Sequence, residues 1–583
     1  MELRRCARNM SNSVRGDYNM EWMKHLIWLA AGAPLAIGAL MAIADAAGQP
    51  RWSQISPARI LENIRILSSD EYEGRAPASK GETLATGYIE SQFKKVGLKP
   101  GNPDGTCFQK VPMVGIKADP SAQLVFTDAG GKREALAFGD DFVAWTKRLQ
   151  PAINIEADLV FVGYGVVAPE YHWNDFKKTD VKGKILVVLI NDPPVPDPHD
   201  PSKLDEKTFK GKAMTYYGRW TYKFEEAAAK GALACLIVHQ TGPAGYPWGV
   251  VQNSNTGEQF SLVTADRGMS RCAAEGWITY EKAKTLFGLA GKDFDALEKS
   301  AVSRDFHPVD LHVKASLELR NTIRTIDSKN VVGKVVGADP SVRDEYVIYT
   351  AHWDHLGVGP EVNGEKIYHG AVDNASGVAG LIELADAFAH VQPAPRRSIL
   401  FLSVTGEEKG LLGSQYYSEH PLYPLPKTLA EVNMDGLNML GRTKDIEVIG
   451  LGQSTLDDVV KAVAKEQGRV VMPDAEPEKG YYYRSDHFNF AKQGVPALDP
   501  DSGVDYIGKP EGWGLEMREK FTRDDYHKPS DKIKPDWDLS GTVEDLRLLG
   551  EVGYRVANAQ TFPVWNAGSE FKAIREKPKT GSQ

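Results

Sequence analysis

The chain has 583 residues, of which 42% are hydrophobic and 25% charged, and its formal net charge is −9 at pH 7. This length allows two or more domains with a full hydrophobic core. The negative charge argues against a general nucleic-acid-binding protein, which needs a basic surface. Only four cysteines are present, and their spacing excludes a disulfide scaffold and a cysteine-based zinc site.

An uncharged apolar run extends from Leu26 to Ile43, with Lys24 before it and Ala44-Asp-Ala46 after it. A cation, an apolar run and a small-x-small sequence are together typical of a secretory signal peptide. We therefore predict cleavage after Ala46 and a periplasmic or secreted mature protein without a stable membrane anchor. An uncleaved anchor is the alternative, because a run of 18 apolar residues is close to the shortest membrane span.

Two helices are predicted next. Ser56 and Pro57 are typical of a helix cap and first turn, and Ile60, Ile64 and Leu67 then share one face. A second helix is expected over residues 81–96, and short strands with glycine-rich turns over 124–143.

The composition changes after residue 150. Strands are predicted over 158–165, 183–190 and 231–238, with a helix over 220–230 and a proline-rich loop over 191–202. This block has no cluster of candidate catalytic side chains. Its isolated histidines, His172, His199 and His239, are interpreted as structural or surface residues.

Polar clusters in the second half follow apolar runs. Residues 346–351, 398–404 and 429–432 predict buried strands, and 377–391 predict a helix between the first two. This order predicts an α/β fold with its site at the carboxyl ends of the strands. The clusters contain His, Asp and Glu, which bind hard or borderline cations such as zinc.

In these clusters the chain resembles the di-zinc exopeptidases that include bacterial leucyl aminopeptidases and glutamate carboxypeptidase-like enzymes. The resemblance covers the catalytic domain and implies a mixed central sheet flanked by helices. The motifs that carry it are Ala351-His-Trp-Asp-His-Leu-Gly357, Asp373-Asn-Ala-Ser-Gly377, Glu407-Glu408, Asn433-Met-Asp435, Ser485-Asp-His487 and His527-Lys-Pro-Ser-Asp531.

The resemblance implies two Zn²⁺ ions per chain, bridged by Asp373. His352 and Asp435 would complete the protein ligands of one ion, and Glu408 and His527 those of the other. Glu407 would be the general base.

Supporting roles follow from the same resemblance. Asp354 would orient His352, and Tyr482 would donate a hydrogen bond to the oxyanion, with Tyr483 as second choice. The alternative is that Tyr481, Tyr482 and Tyr483 only line the pocket. The neighbouring His355, His369 and His487 are not expected to be metal ligands.

The block after residue 150 resembles a protease-associated domain, on the sequences Gly183-Lys-Ile-Leu-Val187 and 225–234. The resemblance implies a mainly β domain inserted into the peptidase chain. The expected organisation is a signal region (1–46), a first peptidase part (54–145), the insert (150–300), the metal-binding part (318–565) and a loose tail (566–583).

The predicted function is a zinc-dependent aminopeptidase that activates water with two metals and acts on peptides with a free N-terminus. A carboxypeptidase of the same family is the first alternative, although the Ala351–Gly357 motif is closer to that of aminopeptidases. A glutaminyl cyclase-like acyltransferase and a metal-free, receptor-like relative are further alternatives. The complete set of five ligands argues against both.

Overall fold

The structure, a computed structural model, describes residues 52–576. The apolar run 26–43 and the predicted cleavage site after Ala46 lie outside this range, as do residues 577–583. Among the described residues, no helix combines the length and apolar character that a membrane crossing requires.

The strands are β1 (Lys99–Pro100), β2 (Phe108–Ala118), β3 (Gln123–Asp128), β4 (Arg133–Leu136), β5 (Phe142–Trp145), β6 (Ala152–Phe161), β7 (Val167–Ala168), β8 (Trp173–Asn174), β9 (Ile185–Leu189), β10 (Ala234–His239), β11 (Gln259–Leu262), β12 (Ala274–Thr279), β13 (Val309–Val335), β14 (Tyr346–His352), β15 (Gly357–Val362), β16 (Glu365–Tyr368), β17 (Ser398–Val404), β18 (Thr428–Asn433), β19 (Asp445–Ile449), β20 (Val470–Pro473) and β21 (Ala497–Ser502).

The α-helices are α1 (Pro57–Leu67), α2 (Lys80–Lys95), α3 (Trp220–Ala229), α4 (Thr241–Ala244), α5 (Trp248–Asn255), α6 (Tyr280–Leu289), α7 (Phe294–Ser300), α8 (Gly377–His390), α9 (Leu412–Glu419), α10 (Leu456–Glu466), α11 (His487–Lys492), α12 (Trp513–Asp524), α13 (Ser540–Asn558) and α14 (Lys572–Glu576). The first helix begins as predicted, because the Ser56 side chain accepts the backbone N–H of Arg59.

The first sheet has the strand order β11-β2-β13-β17-β14-β18-β21-β19-β20. Its centre, β17-β14-β18-β21, is parallel, and antiparallel strands flank it. Every residue of β14 and β17 is buried, as expected for parallel strands covered on both faces. The fold class is therefore the predicted one, an α/β fold with a mixed central sheet.

Alternate residues of β14 pack on opposite layers of helices. The Tyr349 ring stacks on Phe401, 5.6 Å away between centroids, and its hydroxyl donates to the carbonyl of Leu549 in α13. The neighbouring Ile348 faces the other way, into a cluster with Tyr417 and Phe490. Two layers of helices thus fix the strand whose last residue is His352.

A second sheet has the order β4-β3-β13-β6-β9-β10-β12-β5. The long strand β13 joins the two sheets, because its residues 313–318 pair with β3 and its residues 314–320 with β6, while residues 321–331 pair with β2. Along β10, Leu236 and Cys235 face different hydrophobic clusters, so this sheet is also covered on both sides.

Two boundaries differ from the sequence expectation. Residues 123–145, expected in the first peptidase part, contribute β3, β4 and β5 to the second sheet, because β3 pairs with β13 and β5 with β12. In the tail that was expected to be loose, Phe571 is 3% exposed and packs with Trp565. Its burial anchors the tail at least as far as α14.

Candidate metal centre

The parallel centre of the first sheet brings the predicted site residues to one edge. Strand β14 ends at His352, β17 ends three residues before Glu407, and β18 ends two residues before Asp435. His352 lies opposite Val404 in the β14–β17 pairing, so the carboxyl ends of these strands are level. The polar side chains that follow them therefore meet, as the strand order predicts.

One group that could hold a metal ion consists of His352, Asp373 and Asp435, with one ligand atom from each lying within 4.8 Å of the others. The Nε2 atom of His352 is 3.0 Å from Asp435 Oδ1 and 3.4 Å from Asp373 Oδ1. These are the three residues that the sequence assigned to one ion.

The second group consists of His355, Asp373 and Glu408. His355 Nδ1 is 2.5 Å from Glu408 Oε1. The predicted ligand His527 also points here, with Nε2 3.0 Å from Glu408 Oε2 and 3.4 Å from Asp373 Oδ2. The sequence analysis considered His355, which follows Asp354 directly in the first motif, but did not expect it to be a metal ligand.

Asp373 belongs to both groups, and contacts to its backbone and to the surrounding loops fix its position. Its backbone N–H donates to Asp531 Oδ2 at 3.0 Å. The buried Arg75 holds the surrounding loops, because its guanidinium donates to the carbonyls of Trp353, His369 and Gly370. The short 3₁₀ helix Asp70–Arg75, between α1 and α2, therefore supports the site, although nothing in its sequence indicated Arg75.

Glu407 lies beside the first group and outside both. Its Oε2 is 3.9 Å from His352 Nε2, and its backbone N–H donates to Asp354 Oδ1 at 3.2 Å. The carbonyl of Asp354 is 3.1 Å from His352 Nδ1, whereas its carboxylate is 3.9 Å away. Asp354 thus contacts His352 through its backbone and positions Glu407 through its side chain.

The charges of the site favour a cation. Burial raises the pKa of Glu407 well above its usual range, and the neighbouring Asp435 and Glu408 raise it further, against the effect of His352. Burial would lower the pKa of His352, but Asp435 and Glu407 raise it well above its usual value. Carboxylates this close repel one another, and a bound dication would relieve that repulsion.

The block between the two peptidase parts reaches the metal centre through α5. Ser254 Oγ is 2.9 Å from Nδ1 of His527, and the Asn253 side chain donates to the His527 carbonyl at 3.2 Å. Lys409, next to Glu408, donates to the Ser254 carbonyl at 2.9 Å. No sequence pattern had connected Ser254 with the site.

Two cavities meet at Glu407. The large cavity, of about 630 Å³, is lined by Asp373, Glu407 and Asp435 of the metal centre and extends to Trp537. The small cavity, of about 380 Å³, lies between the second sheet's domain and the metal centre and is lined by Glu407, Glu408 and His527. A substrate at the metal centre can extend into both.

The tyrosine assignment is not supported by the structure. Tyr482 is 8% exposed, packs with Phe571, and its hydroxyl has no hydrogen-bond partner among the described residues. It lines neither cavity, whereas Tyr526 lines both. The Tyr526 ring stacks on His527 at 3.9 Å.

Tyr526 is therefore the tyrosine that the structure adds to the candidate site residues. Burial raises the pKa of its hydroxyl well above the usual range, and Asp373 and Glu408 raise it further, although Arg484 opposes them. The phenol stays protonated and can donate a hydrogen bond to a bound molecule. Its position directly before His527 is a signal that the sequence did contain.

The fold and these two groups define an α/β protein with a candidate binuclear metal centre. Residues 330–549 match the model of Peptidase family M28. The predicted resemblance to this kind of peptidase is thereby confirmed for this part of the chain.

Individual relatives agree with this assignment. Aminopeptidase NAALADL1 of Mus musculus is 38% identical over 134 residues, which are 22% of this chain and 16% of that protein. A probable zinc metalloprotease of Pyrenophora teres f. teres (strain 0-1) is 34% identical over 119 residues, 20% of this chain and 24% of that protein. The matched stretch is thus less than a quarter of either relative.

The fold likeness extends further than the sequence likeness. A solved aminopeptidase from Aneurinibacillus sp. strain AM-1 aligns with a TM-score of 0.52 and 20% identity, covering 86% of this chain and 94% of that one. It shows that the overall α/β architecture is shared.

Proposed function

We propose that the chain is a zinc-dependent aminopeptidase that removes N-terminal residues from peptides at a centre of two metal ions. The observation that carries the proposal is that Asp373 belongs to two ligand groups, one with His352 and Asp435 and one with Glu408. Imidazole nitrogen and carboxylate oxygen form a donor set that fits zinc. The M28 match over residues 330–549 supports a peptidase activity.

The roles of the residues follow from their positions. Asp373 presents Oδ1 toward His352 and Oδ2 toward His527, so a single carboxylate can serve two ions. When bound, a zinc ion lowers the pKa of a coordinated water and polarises the peptide carbonyl. Glu407 would accept the proton of the attacking water and deliver it to the leaving amine. Tyr526 would donate its hydroxyl hydrogen bond to the carbonyl oxygen.

The raised pKa of Glu407 suits this role. Burial and two carboxylate neighbours make the side chain a stronger proton acceptor than an ordinary glutamate. Bound cations would lower the pKa of Glu407 again, because they favour the charged carboxylate. General acid–base assistance of this kind contributes about 10²–10⁴-fold to the rate.

The block that contains the second sheet is proposed to be a protease-associated domain, and the protein to be secreted or periplasmic. The mainly β content of this block and its helix α5 at the metal centre support the first proposal. The apolar run before Ala44-Asp-Ala46 supports the second. N-terminal sequencing of the mature protein tests the cleavage site after Ala46.

Hydrolysis of aminoacyl-p-nitroanilides and N-blocked peptides tests the proposed activity. We expect cleavage of the free-amine substrates, loss of activity with a chelator, and recovery when zinc is returned. Glu407→Gln should remove turnover while zinc content stays at two ions per chain. Cleavage of N-blocked peptides alone would instead identify a carboxypeptidase.

A further inference from the structure

A glutamate lies in the middle of a buried strand of the first sheet. Glu431 belongs to β18, all of whose residues are buried, and its own side chain is 0% exposed. Parallel strands that are covered on both faces are ordinarily apolar, because a buried, unpaired charge is costly to a fold. The Oε2 atom of Glu431 has no hydrogen-bond partner among residues 52–576. The contact made by Oε1 therefore decides the state of this side chain.

That contact begins a chain of hydrogen bonds that ends at the metal centre. Thr350 Oγ1 lies 2.5 Å from Glu431 Oε1 and 2.7 Å from Asn433 Oδ1. The Asn433 amide donates to Ser485 Oγ at 2.7 Å, and the Ser485 hydroxyl donates to Asp435 Oδ2 at 2.6 Å. Glu431 and Asn433 are two residues apart on β18, and Thr350 of β14 is paired with Asn433. The first three groups therefore lie on one face of the sheet.

The metal ligand at the end of the chain sets the direction of each bond. A carboxylate that binds a metal ion is ionised and only accepts hydrogen bonds, so Ser485 has to donate its one proton to Asp435. Ser485 can then only accept from Asn433, which places the amide nitrogen toward Ser485 and the amide oxygen toward Thr350. The second amide hydrogen of Asn433 is donated to Asp499 Oδ1 at 3.1 Å. Thr350 is therefore the donor to Asn433.

The single hydroxyl proton of Thr350 leaves one role for Glu431. Because Thr350 gives this proton to Asn433, its short contact with Glu431 requires a proton on Glu431 Oε1. The surroundings favour the same state, because burial raises the pKa of Glu431 well above its usual range. The nearby Asp499 and Asp486 raise the pKa further, and the contact with Thr350 opposes the rise without reversing it. An ionised Glu431 would compete with Asn433 for the Thr350 proton and would interrupt the chain.

We propose that Glu431 is a neutral carboxylic acid and that it positions the metal ligand Asp435 through this chain of hydrogen bonds. The proposal rests on the metal centre of the proposed function and adds a positioning residue to it. The Ser485 hydroxyl occupies Oδ2 of Asp435, whereas Oδ1 faces His352 Nε2 at 3.0 Å. The chain thus leaves Oδ1 for the ion that His352 would also bind. A neutral acid does so without adding a negative charge to a site already rich in carboxylates.

Infrared spectroscopy tests the protonation state without substrate or metal. Protein with isotope-labelled glutamate should show, at neutral pH, the carbonyl band of a protonated glutamic acid, and Glu431→Gln should lose part of this band. Glu383→Gln is the matched control and should lose none of it, because Glu383 is also buried, at 1% exposure, but pairs with Arg59 at 2.7 Å. Identical bands in the wild type and Glu431→Gln would show an ionised Glu431 and would overturn the proposal.

Zinc binding tests the positioning role, and competition with a fluorescent chelator separates the two binding steps. Thr350→Val removes the hydroxyl that connects Glu431 with the rest of the chain. It should weaken the step of the ion held by His352 and Asp435 about tenfold, and Thr350→Ser should restore that step. The step of the other ion should stay unchanged. Thr86→Val should change neither step, because the buried Thr86 donates only to a carbonyl of its own helix.

Two variants of Glu431 separate its proton from its size. Glu431→Gln can donate an amide hydrogen to Thr350 and should bind zinc like the wild type. Glu431→Met has a similar length without a donor, and it should weaken the same step about two- to tenfold. Unchanged zinc binding in Glu431→Met and Thr350→Val would overturn the positioning role even if peptides are cleaved. Equal weakening of both steps would identify structural residues and would overturn it as well.

The same measurements separate this proposal from the proposed activity. Two zinc-binding steps with the expected response to the Thr350 and Glu431 variants, but without peptide cleavage, would support the role of Glu431 and reject the aminopeptidase. A wild-type protein that binds no zinc would overturn both proposals.

Discussion

Removing the hydroxyl of Ser254 should selectively weaken the binding of one of the two metal ions. Ser254 Oγ lies 2.9 Å from His527 Nδ1, and His527 Nε2 faces Glu408 and Asp373. For Nε2 to bind a metal, the ring proton must reside on Nδ1, where Ser254 accepts it. Ser254→Ala removes that acceptor, so both the tautomer and the orientation of the ring become less defined.

The expected loss is moderate because other contacts remain. The carbonyl of His527 still accepts from Asn253, and its ring still stacks on Tyr526. Removing a partner of a metal-bound histidine typically lowers metal affinity about 10- to 100-fold, which corresponds to about 1.4–2.8 kcal/mol. The ion shared by His352 and Asp435 should be unaffected, since Ser254 does not contact either residue.

Competition with a fluorescent zinc chelator measures the two binding steps separately. We expect Ser254→Ala to weaken one step, Ser254→Thr to restore it, and Ser261→Ala to change neither, because Ser261 lines the same cavity without a hydrogen bond to His527. Equal weakening of both steps would indicate a general loss of structure. Two unchanged steps in Ser254→Ala would refute the argument that the hydroxyl positions His527.

Three further predictions concern the site and its support. His527→Ala should lower the zinc content, measured by plasma emission, from two ions per chain to one. His355→Ala should retain two ions. The reverse result would identify His355 as the ligand in place of His527. Tyr526→Phe should lower kcat about 10²–10³-fold while zinc is retained. Tyr482→Phe should leave kcat unchanged. Equal effects of the two substitutions would count against Tyr526 as the hydrogen-bond donor to the carbonyl oxygen. Burial raises the pKa of Glu447 from 4.5 to about 8, against the effect of Arg518, so the folded state favours its protonated form. Its contribution to stability is complete below pH 4.5 and is lost as the pH rises to 8. Urea unfolding measures the free energy of unfolding at pH 5 and at pH 8. The decrease in this free energy between the two pH values should be smaller in Glu447→Gln than in the wild type. An equal decrease in the two proteins would refute the pKa shift.

The position of the site could be predicted from the sequence because it depends on local patterns. Each apolar run ends just before a polar cluster, and parallel strands necessarily bring their carboxyl ends to one edge. His352, Asp373 and Asp435 meet in the structure for this reason. The fold class followed from the same alternation of strands and helices. These residues meet because they follow strands that are neighbours in the sheet.

The contacts that cross between distant segments could not be predicted in this way. Ser254 and His527 are 273 residues apart, and Arg75 reaches the carbonyl of Trp353 from 278 residues away. No periodicity or spacing carries such a pairing, because it depends on how the two sheets are joined through β13. The surroundings of the three consecutive tyrosines could not be predicted for a related reason. Tyr482 packs against Phe571, which belongs to a tail that the sequence indicated as loose.

The two parts of the chain contribute differently to the site. The candidate metal ligands lie in the part of the chain that contains the first sheet, and the insert contacts one of them, His527, through Ser254. The lining of the small cavity comes from both parts of the chain, with Arg219 from the insert and Arg484 from the metal-binding part. A sequence change in the insert can therefore alter the lining of the small cavity without replacing a residue of the two candidate metal-binding groups.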